Sequence, residues 1–417
     1  MLVVAHDFPP VRSPQSIRAL AFARRLAAGA AEVHVLTRTA LPGLSLPTLP
    51  DNVRVHRASP GAFESLLDRL VARRGGHAGA GDGVGDGSAG PAALNWKGRA
   101  VALARRAIDQ LRFPDGRAAW VPAARRELAA LCRASRPDVA LLMHEPAACL
   151  LLAEPLSAAG VPWLADLADP VLAPYTPRQF RRAAARLEAR VVAGAAAVAA
   201  TNAATAELLS SRHGIARDAI TVLPQGFGDA AVAPMPAGDG LQLVYTGRFY
   251  PFRDPAALLA AVVATPGVRL LLAGPEMPAE VLAAARAHPG AIVLAGELPH
   301  EATLALQTRA DVLVGVGNAG TAQSPGKLQE YFGAARPILH VVHDAADPAP
   351  ALLARTRRGL AVPAEPAAIG AALQDLLRAK REGGLAARFD LGDEAVADFH
   401  WDAISDRLAA RLAAIAG

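Results

Sequence analysis

Short apolar segments that alternate with helix-forming segments constrain the fold of this chain more than any other feature. Residues 2–5 and 33–37 are apolar runs of strand length, and a helix-forming segment from about 16 to 28 separates them. Strand, helix and strand at this spacing form a βαβ unit, which requires a parallel sheet. Further helices are expected at 97–111 and 122–134, and further strands at 53–55, 139–143, 163–165, 197–199 and 220–223.

A second alternating series follows a change in composition. Gly, Pro, Ala and Asp dominate residues 226–240, which we expect to form an interdomain linker. Strands are expected beyond it at 241–246, 268–273, 292–295, 312–316 and 338–342. The two series predict an α/β protein of two Rossmann-like domains, 1–225 and 241–395. Each would have a doubly wound parallel sheet, and the two would face each other across a cleft with ligands at the carboxyl ends of the strands.

Two more segments differ from the rest of the chain. Residues 75–90 consist almost entirely of Gly, Ala, Asp and Ser, so we expect a mobile surface loop there. Residues 396–417 end in an amphipathic segment with no strand after it. We expect a C-terminal helix that packs back on the N-terminal domain.

Charge and composition limit the ligands and the location of the protein. A net charge of +5 and a pI near 9.7 favour anionic ligands or an acidic membrane surface. Aromatic residues are only 5% and do not interleave with the basic clusters, so we expect no nucleic acid partner. No apolar run reaches about 18 residues, and the first residues lack the basic region of a signal peptide. We predict a cytoplasmic protein and leave peripheral contact with the inner face of the membrane open.

A helix predicted to start near Ser324 carries the wrong charge in its first turn. Ser324 is a natural N-cap residue and Pro325 fits the first helical position, but the capping-box position three residues after Ser324 holds Lys327. A cation there opposes the helix dipole by about 0.3–1 kcal/mol unless an anion lies beside it. Glu330 adds an acceptor for a sugar diol. The segment indicates a nucleotide-sugar site; an ordinary helix with Lys327 reaching water is the alternative.

Two arginines follow the first strand of the second domain. Gly247 and Arg248 lie at its carboxyl end, and Arg253 comes five residues after Arg248. Two guanidinium groups at the mouth of a parallel sheet can bind a diphosphate through paired hydrogen bonds; solvated loop arginines are the alternative. With Lys327 they supply positive charge for a diphosphate leaving group. We therefore expect no metal ion or other cofactor, and a nucleotide sugar as co-substrate.

The order of these motifs resembles glycosyltransferase family 4, whose members are retaining enzymes of the GT-B fold. The shared order is a strand, Gly-Arg, a second cation, and about 75 residues later a segment that here reads Ser-Pro-Gly-Lys-Leu-Gln-Glu-Tyr. Shorter fragments at 3–10, 113–115, 164–170 and 223–227 follow the family in the same order. The resemblance covers nearly the whole chain and implies a GT-B fold, glycosyl transfer and metal independence.

The resemblance implies a donor site made of Gly247, Arg248, Arg253, Ser324, Lys327, Leu328 and Glu330. Arg248 matches the diphosphate-binding arginine, and Arg253 stands where a lysine is usual. Glu330 matches the second glutamate of the family's Glu-x7-Glu signature, which implies a contact to the ribose hydroxyls. Ala322 replaces the first glutamate, which leaves Gln323 or the backbone of 318–321 as candidates for contact with the donor sugar.

The first domain offers candidates for chemistry and for acceptor binding. His144 and Glu145 belong to a His-Glu-Pro segment that resembles one in family mannosyltransferases, where the His lies near the reacting carbon of the donor sugar. Asp166 and Asp169 follow another strand, where paired carboxylates can orient an acceptor hydroxyl; capping of a helix before Pro170 is the alternative. We predict catalytic roles for His144, Asp166 and Asp169, and acceptor binding for Glu145.

Ser13 and Arg18 complete the predicted acceptor site. Ser13 lies in the loop that replaces a Gly-Gly loop of the family, and Arg18 follows in the first helical turn. These side chains suit an acceptor phosphate.

The predicted reaction is a retaining, metal-independent transfer from a nucleotide sugar to a saccharide or lipid-linked acceptor, in synthesis of a surface polysaccharide or glycolipid. Arginines 178, 182, 186 and 190 recur every four residues, which indicates a helix face that is either solvated or in contact with anionic lipid. Two other functions stay open. One is a nucleotide-sugar 2-epimerase of the same fold, and the other is a catalytically inactive GT-B subunit that binds a nucleotide or a partner, which Ala322 favours.

Overall fold

The computed structural model describes residues 1–11, 13–39, 47–59, 112–173, 176–229, 233–250, 252–318 and 326–417. These residues form two compact units. The first unit consists of Met1–Pro224 and Ile404–Gly417, and the second of Gln225–Ala403. The predicted loop at 75–90 and the predicted helix at 97–111 lie outside the described residues.

The described residues of the first unit form a seven-stranded parallel sheet. Its strands are β1 (Leu2–Val4), β2 (Val33–Arg38), β3 (Val53–Ala58), β4 (Ala140–Met143), β5 (Trp163–Leu167), β6 (Ala197–Ala200) and β7 (Ile220–Val222). Their order is β3-β2-β1-β4-β5-β6-β7. The strand order reverses between β1 and β4, which is where open α/β sheets bind ligands.

The helices of residues 1–224 supply apolar faces to the core around this sheet. The α-helices are α1 (Pro14–Ala27), α2 (Val121–Ser135), α3 (Ala153–Ala158), α4 (Arg181–Gly194) and α5 (Ala203–His213). Short 3-10 helices cover Gly116–Trp120, Ala147–Leu152, Arg178–Phe180 and Arg217–Ala219. Two caps fix helix starts: Ser16 N donates to the Ser13 hydroxyl, and Thr205 N donates to the Asn202 side chain.

The second unit has a six-stranded parallel sheet of the same kind. Its strands are β8 (Leu241–Thr246), β9 (Val268–Ala273), β10 (Ile292–Gly296), β11 (Val312–Val316), β12 (Ile338–Val342) and β13 (Gly359–Pro363). Their order is β10-β9-β8-β11-β12-β13, so the order reverses between β8 and β11. The two doubly wound parallel sheets confirm the prediction of two Rossmann-like domains.

The helices of the second unit alternate with its strands. They are α6 (Ala256–Ala264), α7 (Ala279–Ala287), α8 (His300–Gln307), α9 (Lys327–Phe332), α10 (Ala349–Thr356) and α11 (Pro366–Arg381), with 3-10 helices at Ala386–Arg388 and Glu394–Phe399. The last helix, α12 (Trp401–Ala416), begins in the second unit and ends in the first. No helix in the described part of the chain is both long and apolar enough to cross a membrane.

Some elements differ from the sequence-based expectation. Strand β13 was not expected, because its residues are only partly buried and its sequence, Gly-Leu-Ala-Val-Pro, contains both residue types that weaken strands. Within the segment predicted as a linker, Phe227 is buried in an apolar cluster of the second unit. Arg336 donates to the carbonyl oxygens of Ala233 and Pro234 in the same segment.

Candidate functional site

The reversal point between β8 and β11 brings most of the predicted donor residues together. Gly247 follows β8 with φ of +143°, a backbone conformation that favours glycine. Gly274 leaves no room for a side chain, because a Cβ there would lie 2.0 Å from the Gly247 carbonyl oxygen. These two glycines permit the close backbone packing that places Arg248 at the edge of the sheet.

Arg248 has a fixed backbone and a guanidinium group without a described partner. Its carbonyl oxygen accepts hydrogen bonds from the Tyr245 hydroxyl at 3.0 Å and from Arg253 Nη1 at 3.1 Å. The side chain is half-buried, and no hydrogen bond or ion pair joins its guanidinium group to another residue in the described ranges. Such a cation suits an anionic ligand.

Arg253 is buried and uses its guanidinium group mainly within the protein. Its Nη2 and Nε donate to the Asn318 side-chain oxygen at 2.8 and 3.1 Å. Its carbon Cζ also lies 5.4 Å from the centre of the Tyr250 ring. Arg253 therefore connects the end of β11 to the backbone of Arg248, and its direct contact with a diphosphate stays a prediction.

Lys327 already has an anionic partner, Glu330. Its Nζ donates to Glu330 Oε1 at 2.7 Å, and Gln307 Nε2 donates to the same oxygen at 2.6 Å. Burial favours the neutral form of Glu330, but the charge and hydrogen bond of Lys327 outweigh it and lower the pKa of this carboxyl. The charge mismatch seen in the sequence is thus balanced within α9.

A buried network of polar side chains holds this ion pair in place. Gln307 is fully buried at the end of α8, and its Nε2 also donates to the Thr246 hydroxyl at 2.8 Å. Thr246 N donates to the Tyr331 hydroxyl at 3.0 Å. The network ties α8 and α9 to the end of β8, so Lys327 and Glu330 stand on a rigid base.

A cavity of about 10 Å3, the size of one water molecule, lies between β8, β11 and α9. Tyr245, Arg253, Lys327 and His340 are among its lining residues. His340 Nε2 lies 2.7 Å from Asp347 Oδ2, and both side chains are buried. Side chains of the predicted donor site therefore line a small space beside the second sheet.

Two predicted donor residues, Leu328 and Ser324, are not among the side chains described above. The Leu328 side chain lies in an apolar cluster of the second unit, so only its backbone can face a ligand. Ser324 and the substituted position Ala322 lie outside the described residues. The described helix α9 begins at Lys327, after Gly326.

His144 follows β4 in the first unit and is buried. Its backbone N donates to the Asp166 carbonyl oxygen at 2.9 Å, and its ring donates to the backbone of Asp169. Burial lowers the pKa of His144, although the charges of Asp169 and Asp115 oppose this, so the ring is neutral at pH 7. Its Nδ1 has no hydrogen-bond partner among the described residues.

Glu145 contacts two segments that are distant in sequence. Gln15 Nε2 donates to Glu145 Oε2 at 3.1 Å, and the Asp169 carboxyl group lies close to that of Glu145. Burial, with the negative charge of Asp169, raises the pKa of Glu145 to about 8. Glu145 has φ of +67°, a conformation rare for a non-glycine residue.

Arg18 and Asp166 form a fully buried ion pair with each other. Arg18 Nε and Nη2 donate to the two Asp166 oxygens at 2.8 and 2.9 Å. Arg18 also donates to the carbonyl oxygens of Leu223 and Pro224 at 2.9 and 2.7 Å. With both side chains fully buried, the structure favours a structural role for this pair over the predicted roles in acceptor binding and catalysis.

Ser13 caps α1 and also serves the loop after β1. Its hydroxyl accepts a hydrogen bond from Ser16 N at 3.1 Å and donates one to the carboxylate of Asp7. Burial would raise the pKa of Asp7, but hydrogen bonding to His6 and the charge of Arg38 hold the pKa well below its usual range. This occupied hydroxyl favours a structural role over the predicted acceptor contact.

Several groups of the site gave no sequence signal. Gln307, Asn318 and Gln15 are single amides whose partners lie 23, 65 and 130 residues away. Asp115 lies in a fragment that resembles the family, but its contact with Ala148 N depends on the fold. In the described ranges, no group of three or more His, Cys, Asp or Glu side chains is arranged to hold a metal ion.

Comparisons with known proteins address the family and the fold. Residues 87–228 match the model of Glycosyltransferase Family 4. No curated protein matches the chain significantly in sequence.

Solved structures share the fold at low sequence identity. The chain is similar to Anabaena Alr3699/HepE in complex with UDP, with a TM-score of 0.63, 13% identity and 99% of each chain covered. It is also similar to WaaG, a glycosyltransferase involved in lipopolysaccharide biosynthesis, with a TM-score of 0.58, 12% identity and 99% of each chain covered.

A third similar structure is α,α-trehalose 6-phosphate synthase from Burkholderia multivorans. Its TM-score is 0.61 at 13% identity, with 100% of this chain and 98% of that chain covered. The family match and the two parallel-sheet domains agree with the order of motifs in the sequence. Residues 87–228 thus match the glycosyltransferase family 4 model, and the chain has the two-domain, Rossmann-like GT-B fold of the structures to which it is similar.

Proposed function

We propose that the protein transfers a sugar from a nucleotide-sugar donor to a saccharide or lipid-linked acceptor, with retention of configuration and without a metal ion. The observation that carries this proposal is the arrangement of Arg248, Lys327 and Glu330 around the reversal point of the second sheet. There, an arginine without a described partner lies at the edge of the sheet, and a lysine and a glutamate form a rigid pair on α9.

The positive charges suit a diphosphate leaving group. When the bond between the sugar carbon and the phosphate oxygen breaks, the diphosphate leaves with the electron pair and gains negative charge. Fixed cations placed where that charge develops stabilise the transition state without rearranging. Arg248 and Lys327 fill this role here, while Arg253 positions the backbone of Arg248 and the end of β11. A positive charge supplied in this way supports transfer without a metal ion.

Similar structures support the ligand class and the pathway. The HepE structure contains UDP, and WaaG acts in lipopolysaccharide biosynthesis. We therefore extend to this chain a nucleotide-sugar donor and a role in making a surface polysaccharide or glycolipid. Retention follows from the family resemblance, and a front-face transfer, in which the leaving phosphate takes the proton of the acceptor hydroxyl, fits it.

We assign acceptor binding to the first unit. Glu145 and Asp169 lie at the carboxyl edge of the sheet, beside the neutral ring of His144. Hydroxyl groups of a sugar are suitable donors to such acceptors. The roles of Ser13, Arg18 and Asp166 are structural in this proposal.

The exposed face of α4 supports contact with an anionic membrane surface. Arg182, Arg186 and Arg190 are exposed, whereas Leu187 and Val191 on the other face are buried. Cations in this arrangement attract anionic lipid headgroups. The proposal places the enzyme in the cytoplasm, on the inner face of the membrane, where lipid-linked acceptors are made.

Release of free nucleoside diphosphate from a panel of UDP-, GDP- and ADP-linked sugars tests the proposed function. A transferase releases the diphosphate from at least one donor, slowly into water and faster when a lipid-linked acceptor is added. An epimerase changes the donor sugar instead. An inactive subunit does neither, and that result, obtained with the whole panel and a membrane extract as acceptor, contradicts the proposal.

A further inference from the structure

His6 and Asp7 form a buried, hydrogen-bonded pair directly after β1. His6 Nδ1 lies 2.8 Å from Asp7 Oδ1, and both side chains are buried. Because the strand order reverses between β1 and β4, residues that follow β1 lie where open α/β sheets bind ligands. The donor and acceptor residues of the proposed function do not include this pair.

The Asp7 carboxylate determines which ring nitrogen of His6 carries the proton. Arg38 Nε donates to the same Asp7 oxygen at 3.1 Å, and this ion pair keeps Asp7 ionised at neutral pH. An ionised carboxylate only accepts hydrogen bonds, so the hydrogen in its contact with His6 belongs to Nδ1. In a neutral imidazole the other nitrogen, Nε2, is then unprotonated and acts as an acceptor.

Contacts with the backbone and the ring hold the imidazole of His6 in place. The Thr37 hydroxyl donates to the His6 carbonyl oxygen at 2.8 Å, and the Arg38 backbone N donates to it at 3.2 Å. The His6 and Trp120 rings pack at an angle of 84°, with their centres 5.2 Å apart. A side chain that is already fixed loses little freedom when a ligand binds, which favours affinity.

The second nitrogen of His6 is an acceptor without a partner. Within the part of the chain that the structure describes, Nε2 takes part in no hydrogen bond or ion pair. Burial lowers the pKa of His6 more than the neighbouring Asp7 carboxylate raises it. The positive charges of Arg38 and Arg117 lower this pKa further, so the ring is neutral at pH 7.

The chemistry of this nitrogen selects the kind of ligand. The His6 side chain is only 4% exposed, and an acceptor that is left without a donor in such a place is costly. A fully ionised phosphate offers only acceptor oxygens and does not satisfy Nε2. A hydroxyl group donates, as the hydroxyl groups of a sugar do. The pair therefore suits a saccharide at this edge of the sheet.

We propose that His6 is an acceptor-binding residue whose Nε2 accepts a hydrogen bond from a hydroxyl group of the acceptor sugar, and that Asp7 is a positioning residue that keeps Nδ1 protonated for this contact. The hydroxyl group keeps its proton, so His6 removes no proton in the reaction. This inference rests on the proposed function for the identity of the ligand. The protonation of the ring does not depend on that function.

Nitrogen NMR of the imidazole ring tests the arrangement without an assay of activity. Protein with 15N-labelled histidine is measured at pH 7.5, and His6→Gln identifies the His6 signals. We expect a protonated Nδ1 and an unprotonated Nε2. In Asp7→Asn the side-chain amide donates to Nδ1, so we expect the ring proton on Nε2 instead. His288→Gln, at an exposed histidine, is the control and leaves both His6 signals in place.

Two results of the NMR measurement count against the proposal. A wild-type ring with its proton on Nε2 overturns the acceptor role of His6. A ring that keeps its proton on Nδ1 in Asp7→Asn overturns the positioning role of Asp7.

Acceptor KM tests the contact with the sugar. With the nucleotide sugar that releases diphosphate, His6→Leu removes one hydrogen bond to the acceptor, so we expect acceptor KM to rise about tenfold while donor KM and kcat stay nearly constant. His6→Gln offers an amide oxygen that can accept in place of Nε2, so its acceptor KM stays within about threefold of the wild-type value. His288→Gln follows the wild type.

The kinetic outcomes separate this inference from the proposed function. An unchanged acceptor KM in His6→Leu overturns the contact. An equal loss of kcat in His6→Leu and His6→Gln overturns it as well, because it indicates that His6 takes a proton. If no donor releases diphosphate, the proposed function fails, while the NMR measurement still decides the protonation of His6.

Discussion

The Lys327 ammonium group lies 2.7 Å from the Glu330 carboxylate, one turn along the same short helix. The first-turn cation, which is unfavourable for an isolated helix, is therefore neutralised by the side chain that we propose contacts the ribose of a nucleotide. In the proposed site, a bound diphosphate would compete with Glu330 for Lys327. This competition makes the two ends of the predicted nucleotide site depend on each other.

The competition predicts opposite effects of two substitutions on two ligands. Lys327→Ala removes a charged hydrogen bond worth about 1.5–3 kcal/mol, so the affinity for UDP falls by at least about tenfold. Glu330→Gln releases Lys327 for a phosphate, so inorganic pyrophosphate binds more tightly, whereas UDP loses the proposed ribose contact and binds less tightly. Isothermal titration calorimetry measures both ligands. Arg286→Ala, an exposed cation on α7, is the control and changes neither. Equal changes for both ligands in Glu330→Gln would contradict the competition.

Close backbone packing below Arg248 predicts that Gly274→Ala destabilises the protein. A Cβ at Gly274 would lie 2.0 Å from the Gly247 carbonyl oxygen, so the backbone must shift, at a cost of about 1–3 kcal/mol. Gly290→Ala is the control, because nothing lies within 4 Å of its Cβ position. Urea denaturation measures both. Equal stability of the two variants would show that the turn at Gly247 adapts.

The buried Arg18–Asp166 pair predicts a double-variant effect. Asp166→Asn leaves the Arg18 guanidinium buried without its counter-ion, which costs about 3–5 kcal/mol of unfolding free energy. Replacing both residues, Arg18→Met with Asp166→Leu, removes the uncompensated charge and recovers part of that loss. Urea denaturation of the single and double variants checks the order of stability. A single variant as stable as the wild type would contradict the structural role and restore the predicted contact with substrate.

Most strands of the fold, and the donor residues that directly follow a strand, could be predicted from the sequence. Parallel strands that are buried on both faces give continuous apolar runs, and β8 and β11 are such runs. The residues that follow them, such as Arg248, fall at the edge of the sheet by topology alone. The contact of Gln307 with Glu330 and the pairing of Arg18 with Asp166 join segments that are far apart in sequence, and no local pattern specifies them.

Buried neutral histidines predict a loss of stability in acid. The pKa of His144 is lowered by burial, so below about pH 6.5 the folded protein binds fewer protons than the unfolded chain, and stability falls as pH falls. Glu145 acts in the opposite direction over part of this range, so the difference between wild type and His144→Gln isolates the histidine. We expect the variant to lose less stability between pH 7 and 5 in urea titrations. His288→Gln, an exposed histidine, should follow the wild type. A His144→Gln slope as steep as that of the wild type would assign the acid effect to other groups.

A crystal structure of the protein with UDP tests the central claim most directly. The account predicts that the diphosphate lies at the carboxyl ends of β8 and β11, within hydrogen-bond distance of the Arg248 guanidinium group and Lys327 Nζ. It also predicts that Glu330 faces the ribose hydroxyls and that the 2.7 Å contact between Lys327 and Glu330 lengthens. A diphosphate bound elsewhere, or in place without contact to Arg248 and Lys327, would contradict the account.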